Sequence, residues 1–517
     1  MNDDSRTKNS IRNMVSSWGG QFLGIGFSFV SRTIFINILG AEYLGINGLF
    51  SNILSMLALA ELGVGSAITY SLYKPLASKD ENKIKALMGL YATAYRMIGC
   101  IVAVIGLALV PFLENIIKEK PDIPHLTIIY LMFLASSVVS YFFTYKNSLI
   151  IADQKQYVIT IYSYGFSLVQ NIAQIIILML TRNFLWYLAI QIACGFLSNF
   201  FMAKKVDHVY PFLHEGAKVY LDKESKKSLF KNIGAIILHK IGTVIVFGTD
   251  NILISIFVGV YWVGLYSNYI MIMGIVNNFI NSIFSSVTAS VGQLNAKESS
   301  EKIYSVFNTA FFLNFWIYSF CAVSFWVLFN PFITMWIGSQ YVMDKEIVLM
   351  IVVNFFVTGM RRTVLTYKET MGLFWQDRFK PLCESAINLI ASVILVTKLG
   401  IIGVLLGTFI STMTTCFWVE PYILYKYGFQ KNVRTHFGKY ILYTVVAVVT
   451  ALLTEMACSI FTTYTFFSIV GRAIFCLLIP NMMITMLFFR TKEFTHVYGI
   501  VKGLSCRCLR VLNHQNM

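Results

Sequence analysis

The sequence predicts an all-α protein that crosses a membrane about fourteen times. It is 57% hydrophobic and only 13% charged, whereas soluble domains carry about 25% charged residues. Its apolar residues form long runs, each near the roughly 20 residues that span a hydrocarbon core. Lysine and arginine are concentrated in the short segments between runs, as in the cytoplasmic loops of membrane proteins.

The predicted spans follow one another along almost the whole chain and leave no room for a separate soluble domain. They cover residues 14–38, 47–73, 86–110, 126–150, 158–180, 184–203, 231–257, 263–291, 304–329, 346–367, 381–398, 401–423, 440–461 and 466–489.

The basic residues predict the orientation of these spans. With a cytoplasmic N-terminus, 28 of the 41 lysines and arginines fall on inner segments, four on outer loops, and nine within spans or at their ends. This asymmetry predicts that both termini are cytoplasmic, including a basic tail at 490–517. It also accounts for the net charge of +16. The positive charge lies beside anionic lipid headgroups, so no nucleic-acid partner is expected.

The spans are predicted to form two pseudo-symmetric six-helix lobes. Residues 204–230, the longest internal polar stretch, are the predicted cytoplasmic linker between an N-lobe (1–203) and a C-lobe (231–423), with two extra helices at 440–489. A weak repeat supports this division. The glycines of GAEYLGIN (40–47) recur in GVYWVGLY (259–266) at an offset of 219 residues. Two further matches at nearly the same offset favour two parallel repeats, as transporters often have.

Polar side chains recur at helical spacing on six predicted spans, so each set lies along one helix face. A single stripe is compatible with ordinary helix packing. Six stripes, several of them charged, favour a hydrated central cavity. The sets are Ser17, Gln21, Ser28 and Arg32; Ser137, Ser140 and Thr144; Ser163, Ser167, Gln170 and Gln174; His239, Lys240, Thr243 and Asp250; Asn278, Asn281, Ser285 and Thr288; and Glu384, Asn388 and Ser392.

Arg32 is the most informative of these residues because it interrupts an apolar run. An arginine near the bilayer centre costs about 2.5–3.5 kcal/mol on insertion scales, so a partner or water must offset that cost. One interpretation is a buried ion pair with Glu61 or Asp250. The other is a site for an anionic substrate, since the forked guanidinium suits a phosphate group.

The sequence shows no pattern typical of an enzyme or a metalloprotein. It has no P-loop, no G-x-S-x-G and no H-E-x-x-H motif. The nine cysteines are scattered, without zinc-site spacing. We therefore predict no catalytic residue, no metal and no cofactor.

Two blocks of sequence resemble a known family. Residues 60–99, which begin AELGVGSAITYSLYKPLASKDENKI, and residues 369–411 followed by WVEPYILYKYGF resemble the polysaccharide exporters of the multidrug/oligosaccharidyl-lipid/polysaccharide (MOP) superfamily. The Wzx-like O-antigen and capsule flippases are the most similar branch. The resemblance implies two six-helix bundles around a central cavity. It also implies that an undecaprenyl-diphosphate-linked oligosaccharide is moved across the bacterial inner membrane by alternating access.

The resemblance and the polar stripes together give candidate residues for this function. Arg32 and Lys240 are expected to attract the diphosphate, and an ion gradient of H⁺ or Na⁺ is expected to drive transport. Polysaccharide polymerase or export machinery are the expected protein partners. The predicted substrate-binding set is Arg32, Lys240, Gln21, Ser28, Gln174, Asn278 and Asn388, and the predicted ion-coupling set is Asp250, Glu61 and Glu384.

Two alternative functions compete with the flippase. A cation-coupled multidrug exporter of the same superfamily is the main one, although such a protein should favour carboxylates where this chain has Arg32. A polymerase or ligase of the same pathway is disfavoured, because the predicted outer loops are too short for a catalytic domain.

Overall fold

The computed structural model describes residues 3–58, 64–118, 123–213, 248–373, 375–499 and 502. Their regular structure is helical, with no β-strand among these residues. The chain divides into two compact units, Met1–Asn268 and Tyr269–Met517.

The first unit contains nine described helices and the start of a tenth. They are α1 Asp3–Leu57, α2 Val64–Ser78, α3 Glu81–Ala108, α4 Leu113–Ile116, α5 Leu126–Thr144, α6 Asn147–Ala152, α7 Gln156–Thr181, α8 Phe184–Val209, α9 over the described residues 248–257, and α10 Val260–Lys297, which continues into the second unit.

The second unit continues with helices that include two π-helical segments, Thr412–Cys416 and Leu424–Phe429. The others are α11 Ser300–Ile337, α12 Lys345–Met360, α13 Arg362–Thr370, α14 Lys380–Leu399, α15 Ile401–Ser411, α16 Phe417–Ile423, α17 Arg434–Cys458, α18 Phe466–Phe488, and α19 over residues 492–499.

Twelve helical segments of the described residues are long and apolar enough to cross a membrane. Each corresponds to one of the predicted spans, which confirms a multi-pass helical membrane protein. The two remaining predicted spans, 47–73 and 231–257, run into 59–63 and 214–247, which lie outside the described residues. The count of fourteen and the cytoplasmic side of the termini therefore stay predictions.

Several helices begin where a polar side chain satisfies a free backbone amide. The Asp80 carboxylate accepts from the Lys83 amide at 3.0 Å at the start of α3. The Asn183 side chain accepts from the Leu185 amide at 2.8 Å at the start of α8. Such caps replace hydrogen bonds that the first turn of a helix lacks, so they fix where these spans begin.

Gly40 produces the main break in α1. Its backbone has φ 86° and ψ −179°, a conformation that residues with a side chain rarely adopt. Residues 41–57 are helical immediately after it. The residues between the predicted spans 14–38 and 47–73 are therefore largely helical, because a single glycine accommodates the change of direction.

Within the predicted linker, α8 continues through Lys204 to Val209 and is followed by a 3-10 turn at Pro211–Leu213. Residues 214–230, the rest of the predicted linker, lie outside the described residues, as does the end of the predicted basic tail from residue 503. The lobe boundaries stay predictions.

Candidate functional site

Arg32 is held by two side chains from the start of α10. Its Nε donates to Asn268 Oδ1 at 3.1 Å, and its Nη2 donates to Ser267 Oγ at 2.5 Å. Ser267 in turn donates to the Gly264 carbonyl at 2.7 Å. Asn268 is fully buried, whereas Arg32 is partly exposed. The guanidinium is therefore fixed in position by neutral acceptors.

Aromatic side chains line the same part of α1 and α8. Tyr187 on α8 hydrogen-bonds Ser31 and lies close enough to Arg32 for their charges to interact. The Phe35 ring packs edge-on against Tyr187 and Phe184, with centroids 5.1 and 5.7 Å apart. Arg32 lies eight residues before Gly40, or about 12 Å along the helix. The guanidinium thus lies well inside the span, beside an aromatic wall.

The predicted ion pair with Asp250 does not form. Asp250 lies near Tyr266, and the negative charge of Asp250 acts on the phenol group of Tyr266. The hydrogen bonds of Arg32 go instead to Ser267 and Asn268, and no ion pair among the described residues includes Arg32. Glu61, the other predicted partner, lies outside the described residues.

Sequence reasoning missed Ser267 and Asn268. They stand 235 and 236 residues after Arg32, so no local spacing connects them to it. The only signal was the pair of polar residues in YSNY, early in an apolar run. The fold supplies the connection, because it brings the start of α10 against α1.

Two glycines create the close approach between α1 and α10. A Cβ added to Gly45 would overlap the carbonyl oxygen of Val260, and one added to Gly264 would overlap that of Ala41. These two contacts are related by the predicted repeat offset of 219 residues. Gly40 and Gly259, related by the same offset, both have positive φ, 86° and 137°. This backbone crossing, defined by Gly45 and Gly264, supports the helix end that presents Ser267 and Asn268.

The other predicted substrate-binding residues occupy different environments. Gln21 and Ser28 are half-buried and share a face of α1 with Arg32. Gln174 is buried and donates to the Tyr187 carbonyl at 3.2 Å. Asn278 is exposed on α10. Lys240 lies outside the described residues.

Asn388, the last of the predicted set, is buried between two packed helices. Its Nδ2 on α14 donates to the Thr408 hydroxyl on α15 at 3.0 Å, and its Oδ1 is buried without a partner. This environment favours helix packing over substrate contact. The substrate-binding role of Asn388 stays a prediction.

Glu384 belongs to a buried charge cluster in the second unit, formed by Arg361, Lys380, Glu384 and Glu420. Arg361 donates Nε and Nη2 to the two oxygens of Glu420 at 3.0 and 2.8 Å, and Nη1 to Glu384 at 3.4 Å. Lys380 also pairs with Glu420 and lies 3.9 Å from Glu384. Two cations thus hold Glu384, which favours a structural role. Its ion-coupling role stays a prediction.

This charge cluster leads to a stability prediction. Glu420→Ala removes the carboxylate that the buried Arg361 and Lys380 share. We therefore expect the free energy of unfolding to fall by about 3–5 kcal/mol. Thermal unfolding of the purified protein measures it. The matched control is Glu493→Ala, which breaks the more exposed pair with Lys439 at 2.7 Å and should cost about 0–1 kcal/mol. Equal losses in the two variants would contradict the structural role.

The control pair also has a defined pH dependence. Burial raises the pKa of Glu493, but the hydrogen bond and charge of Lys439, a backbone hydrogen bond and the nearby His496 together lower it by more, so this pKa lies below the ordinary value of 4.5. A carboxyl whose pKa is lowered by folding stabilises the folded protein at pH values above the pKa that it has in the unfolded chain. We therefore expect Glu493 to stabilise the folded protein slightly at neutral pH. This stabilisation should be lost as the pH falls below about 4.5.

The sequence matches a defined protein family over more than half of its length. The family model described as "Polysaccharide biosynthesis protein" matches residues 10–289, which include α1 and the start of α10. No curated protein matches the sequence.

Solved transporters share the fold. The chain is similar to the lipid II flippase MurJ in an inward closed conformation (TM-score 0.61, 15% identity, covering 92% of this chain and 99% of that one). It is also similar to an inward-facing multidrug resistance MATE family transporter of the MOP superfamily (TM-score 0.59, 14% identity, covering 77% of this chain and 94% of that one). A third similar structure is the Vibrio cholerae MATE transporter VcmN in its bent form (TM-score 0.52, 13% identity, covering 83% of this chain and 100% of that one). The chain belongs to the polysaccharide biosynthesis protein family and has the fold of MOP-superfamily transporters.

Proposed function

We propose that this protein is a flippase that moves undecaprenyl-diphosphate-linked oligosaccharides across the bacterial inner membrane for surface polysaccharide synthesis. The family match supports the pathway. The fold similarity to a lipid II flippase supports the type of transport. No enzymatic step is needed, since the substrate changes leaflet without a change in its bonds.

The observation that carries the proposal is the setting of Arg32. Arg32 lies within a span, and its guanidinium is held only by the neutral groups of Ser267 and Asn268 among the described residues. A cation without a carboxylate partner in an apolar segment is unfavourable unless an anion or water compensates it. A diphosphate supplies that anion and matches the forked donors of arginine.

In the proposed mechanism, Arg32 binds the diphosphate while the polyprenyl tail remains in lipid. Gln21 and Ser28, on the same face of α1, offer hydrogen-bonding groups to the sugars. Asn278 of the second unit is a further candidate for sugar binding. Lys240 is a second candidate cation. Alternating access to the two membrane surfaces then carries the head group across.

A gradient of H⁺ or Na⁺ is the proposed energy source. Asp250 is the preferred coupling residue, because Glu384 is already held by Arg361 and Lys380. Glu61 is retained as a second candidate. Polysaccharide polymerase and export proteins are the proposed partners, since they would use the delivered substrate.

Substrate binding tests the proposal. Purified protein in nanodiscs is titrated with undecaprenyl-diphosphate oligosaccharide, with the matching monophosphate, and with the uncharged polyprenol. We expect affinity to fall in that order, because each step removes negative charge from the partner of Arg32. Equal affinity for all three lipids would contradict a phosphate-binding site.

The similarity to MATE family transporters keeps multidrug export as a second candidate. Overproduction in a drug-sensitive strain separates the two functions. A flippase leaves the inhibitory concentrations of cationic drugs unchanged. Increased resistance to several unrelated cationic drugs, with unchanged polysaccharide, would favour the exporter.

A further inference from the structure

We infer that the segment joining α13 to α14 contains a membrane-surface site for an anionic lipid headgroup, formed by Trp375, Arg378 and Phe379. The segment connects two helical stretches, Lys345–Thr370 (α12 and α13) and Lys380–Leu399 (α14), that are long and apolar enough to span a membrane, so it lies where a span meets the membrane surface. The basic residues of the sequence predict that this surface is cytoplasmic.

Arg378 is held between two exposed aromatic rings. Its guanidinium carbon lies 3.9 Å from the centroid of Trp375 and 4.7 Å from that of Phe379. Nη1 also donates to the Trp375 carbonyl at 3.0 Å. The two rings are 72% and 61% exposed. Stacking and the hydrogen bond thus fix the guanidinium, while large apolar surfaces beside it remain uncovered by the described residues.

The neighbouring carboxylate does not neutralise this cation. Asp377 is buried and pairs with Lys368 of α13, which is also buried. This buried ion pair anchors the segment from inside and leaves Trp375, Arg378 and Phe379 on the outside. Among the described residues, Arg378 has no ion pair with a carboxylate.

This combination fits the interfacial region of a membrane. Tryptophan and other aromatic residues favour the headgroup level, and a nearby basic residue attracts anionic lipid. Arginine binds phosphate through parallel donors. An anionic lipid is therefore a better match than a soluble phosphate, since only the lipid also covers the two rings.

Other helix ends of the second unit that are predicted to be cytoplasmic show the same pairing of cation and exposed ring. Lys426 lies 5.2 and 5.3 Å from the centroids of Tyr422 and Tyr427, and Arg490 lies 5.1 Å from that of Phe489. The Trp375 site differs from these because its guanidinium lies closer to both of its rings and a buried ion pair supports its loop.

The test uses the tryptophan itself as the probe. The full-length protein is reconstituted in nanodiscs of phosphatidylcholine, with or without phosphatidylglycerol, in which one lipid at a time is brominated near the headgroup. The quenching of Trp375 fluorescence is obtained as the difference between the quenching of the native protein and that of Trp375→Phe. We expect brominated phosphatidylglycerol to be enriched roughly fivefold over brominated phosphatidylcholine beside Trp375. Arg378→Gln should remove that preference, and Arg378→Lys should restore part of it.

Two controls make the result specific. Trp418, also exposed and hydrogen-bonded to the Thr414 carbonyl at 2.7 Å, lies within a span and should be quenched equally by both lipids. Soluble inorganic phosphate should leave the Trp375 signal unchanged, whereas competition by phosphate would assign the site to a free anion. Quenching that is absent, or that is independent of headgroup charge and of Arg378, would overturn the inference.

Discussion

Replacing Arg32 by alanine is expected to abolish transport while the protein still inserts and folds. A hydrogen bond to a charged group is worth about 1.5–3 kcal/mol, which corresponds to roughly a 10- to 150-fold loss in substrate affinity. Arg32→Lys retains the charge but loses the fork, so it should retain part of the activity. Surface polysaccharide in cells that depend on this protein provides the measurement.

A second variant separates the charge of Arg32 from its structural contacts. Asn268→Asp places a carboxylate where Arg32 Nε now meets a neutral oxygen at 3.1 Å. The resulting ion pair should preserve folding but neutralise the guanidinium and repel the diphosphate. We therefore expect loss of transport with unchanged or higher thermal stability. Full transport by this variant would show that the free charge of Arg32 is not needed.

Arg96→Gln is the matched control for Arg32. Arg96 is also an arginine in a predicted span, but it is exposed on α3 and is outside the site. Its replacement should leave transport nearly unchanged. A loss equal to that of Arg32→Ala would indicate a general effect of positive charge on insertion.

Gly45→Ala and Gly264→Ala are expected to disrupt the backbone crossing of α1 and α10. Each added methyl group would overlap a main-chain carbonyl, of Val260 or of Ala41, which cannot rotate away as a side chain can. Overpacking usually costs about 1–3 kcal/mol, and a backbone obstacle places these variants at or above the upper end of that range. We expect lower thermal stability and loss of transport, because separating the helices also moves Ser267 and Asn268 away from Arg32.

The same helices provide controls for these glycines. Gly26 on α1 and Gly274 on α10 have no atoms within 4 Å of an added Cβ, so Gly26→Ala and Gly274→Ala should be neutral or slightly stabilising. Both added methyl groups push apart the same two helices. The double variant Gly45→Ala/Gly264→Ala should therefore lose less unfolding free energy than the two single variants lose in total. Stability of Gly45→Ala equal to that of Gly26→Ala would show that the crossing is not tightly packed.

The sequence was sufficient to predict features that depend on local pattern. Apolar runs predicted the helices that could span a membrane, and an equal offset predicted the correspondence of Gly40 with Gly259, which share positive φ. The gap between the predicted spans 14–38 and 47–73 is helical from residue 41, because glycine can redirect a helix within one residue. Local pattern does not distinguish that case from a true loop.

Side-chain partners could not be predicted in the same way. Arg32 meets Asn268 across 236 residues of sequence, and that contact depends on the packing of α1 against α10. Glu384 is a carboxylate on a predicted polar stripe, yet Arg361 and Lys380 hold it. A polar stripe thus indicates a buried or hydrated face, while only the fold decides which groups bind each other.

Translocation in liposomes tests the central claim most directly. Purified protein is reconstituted with a fluorescent undecaprenyl-diphosphate oligosaccharide, and the fraction accessible to a membrane-impermeant quencher is followed with and without a pH or sodium gradient. Our account predicts protein-dependent movement between leaflets, stimulated by one of the gradients and lost in Arg32→Ala and Asn268→Asp. Absence of movement with folded protein under every gradient and with several glycans, or equal movement by native protein and Arg32→Ala, would contradict it.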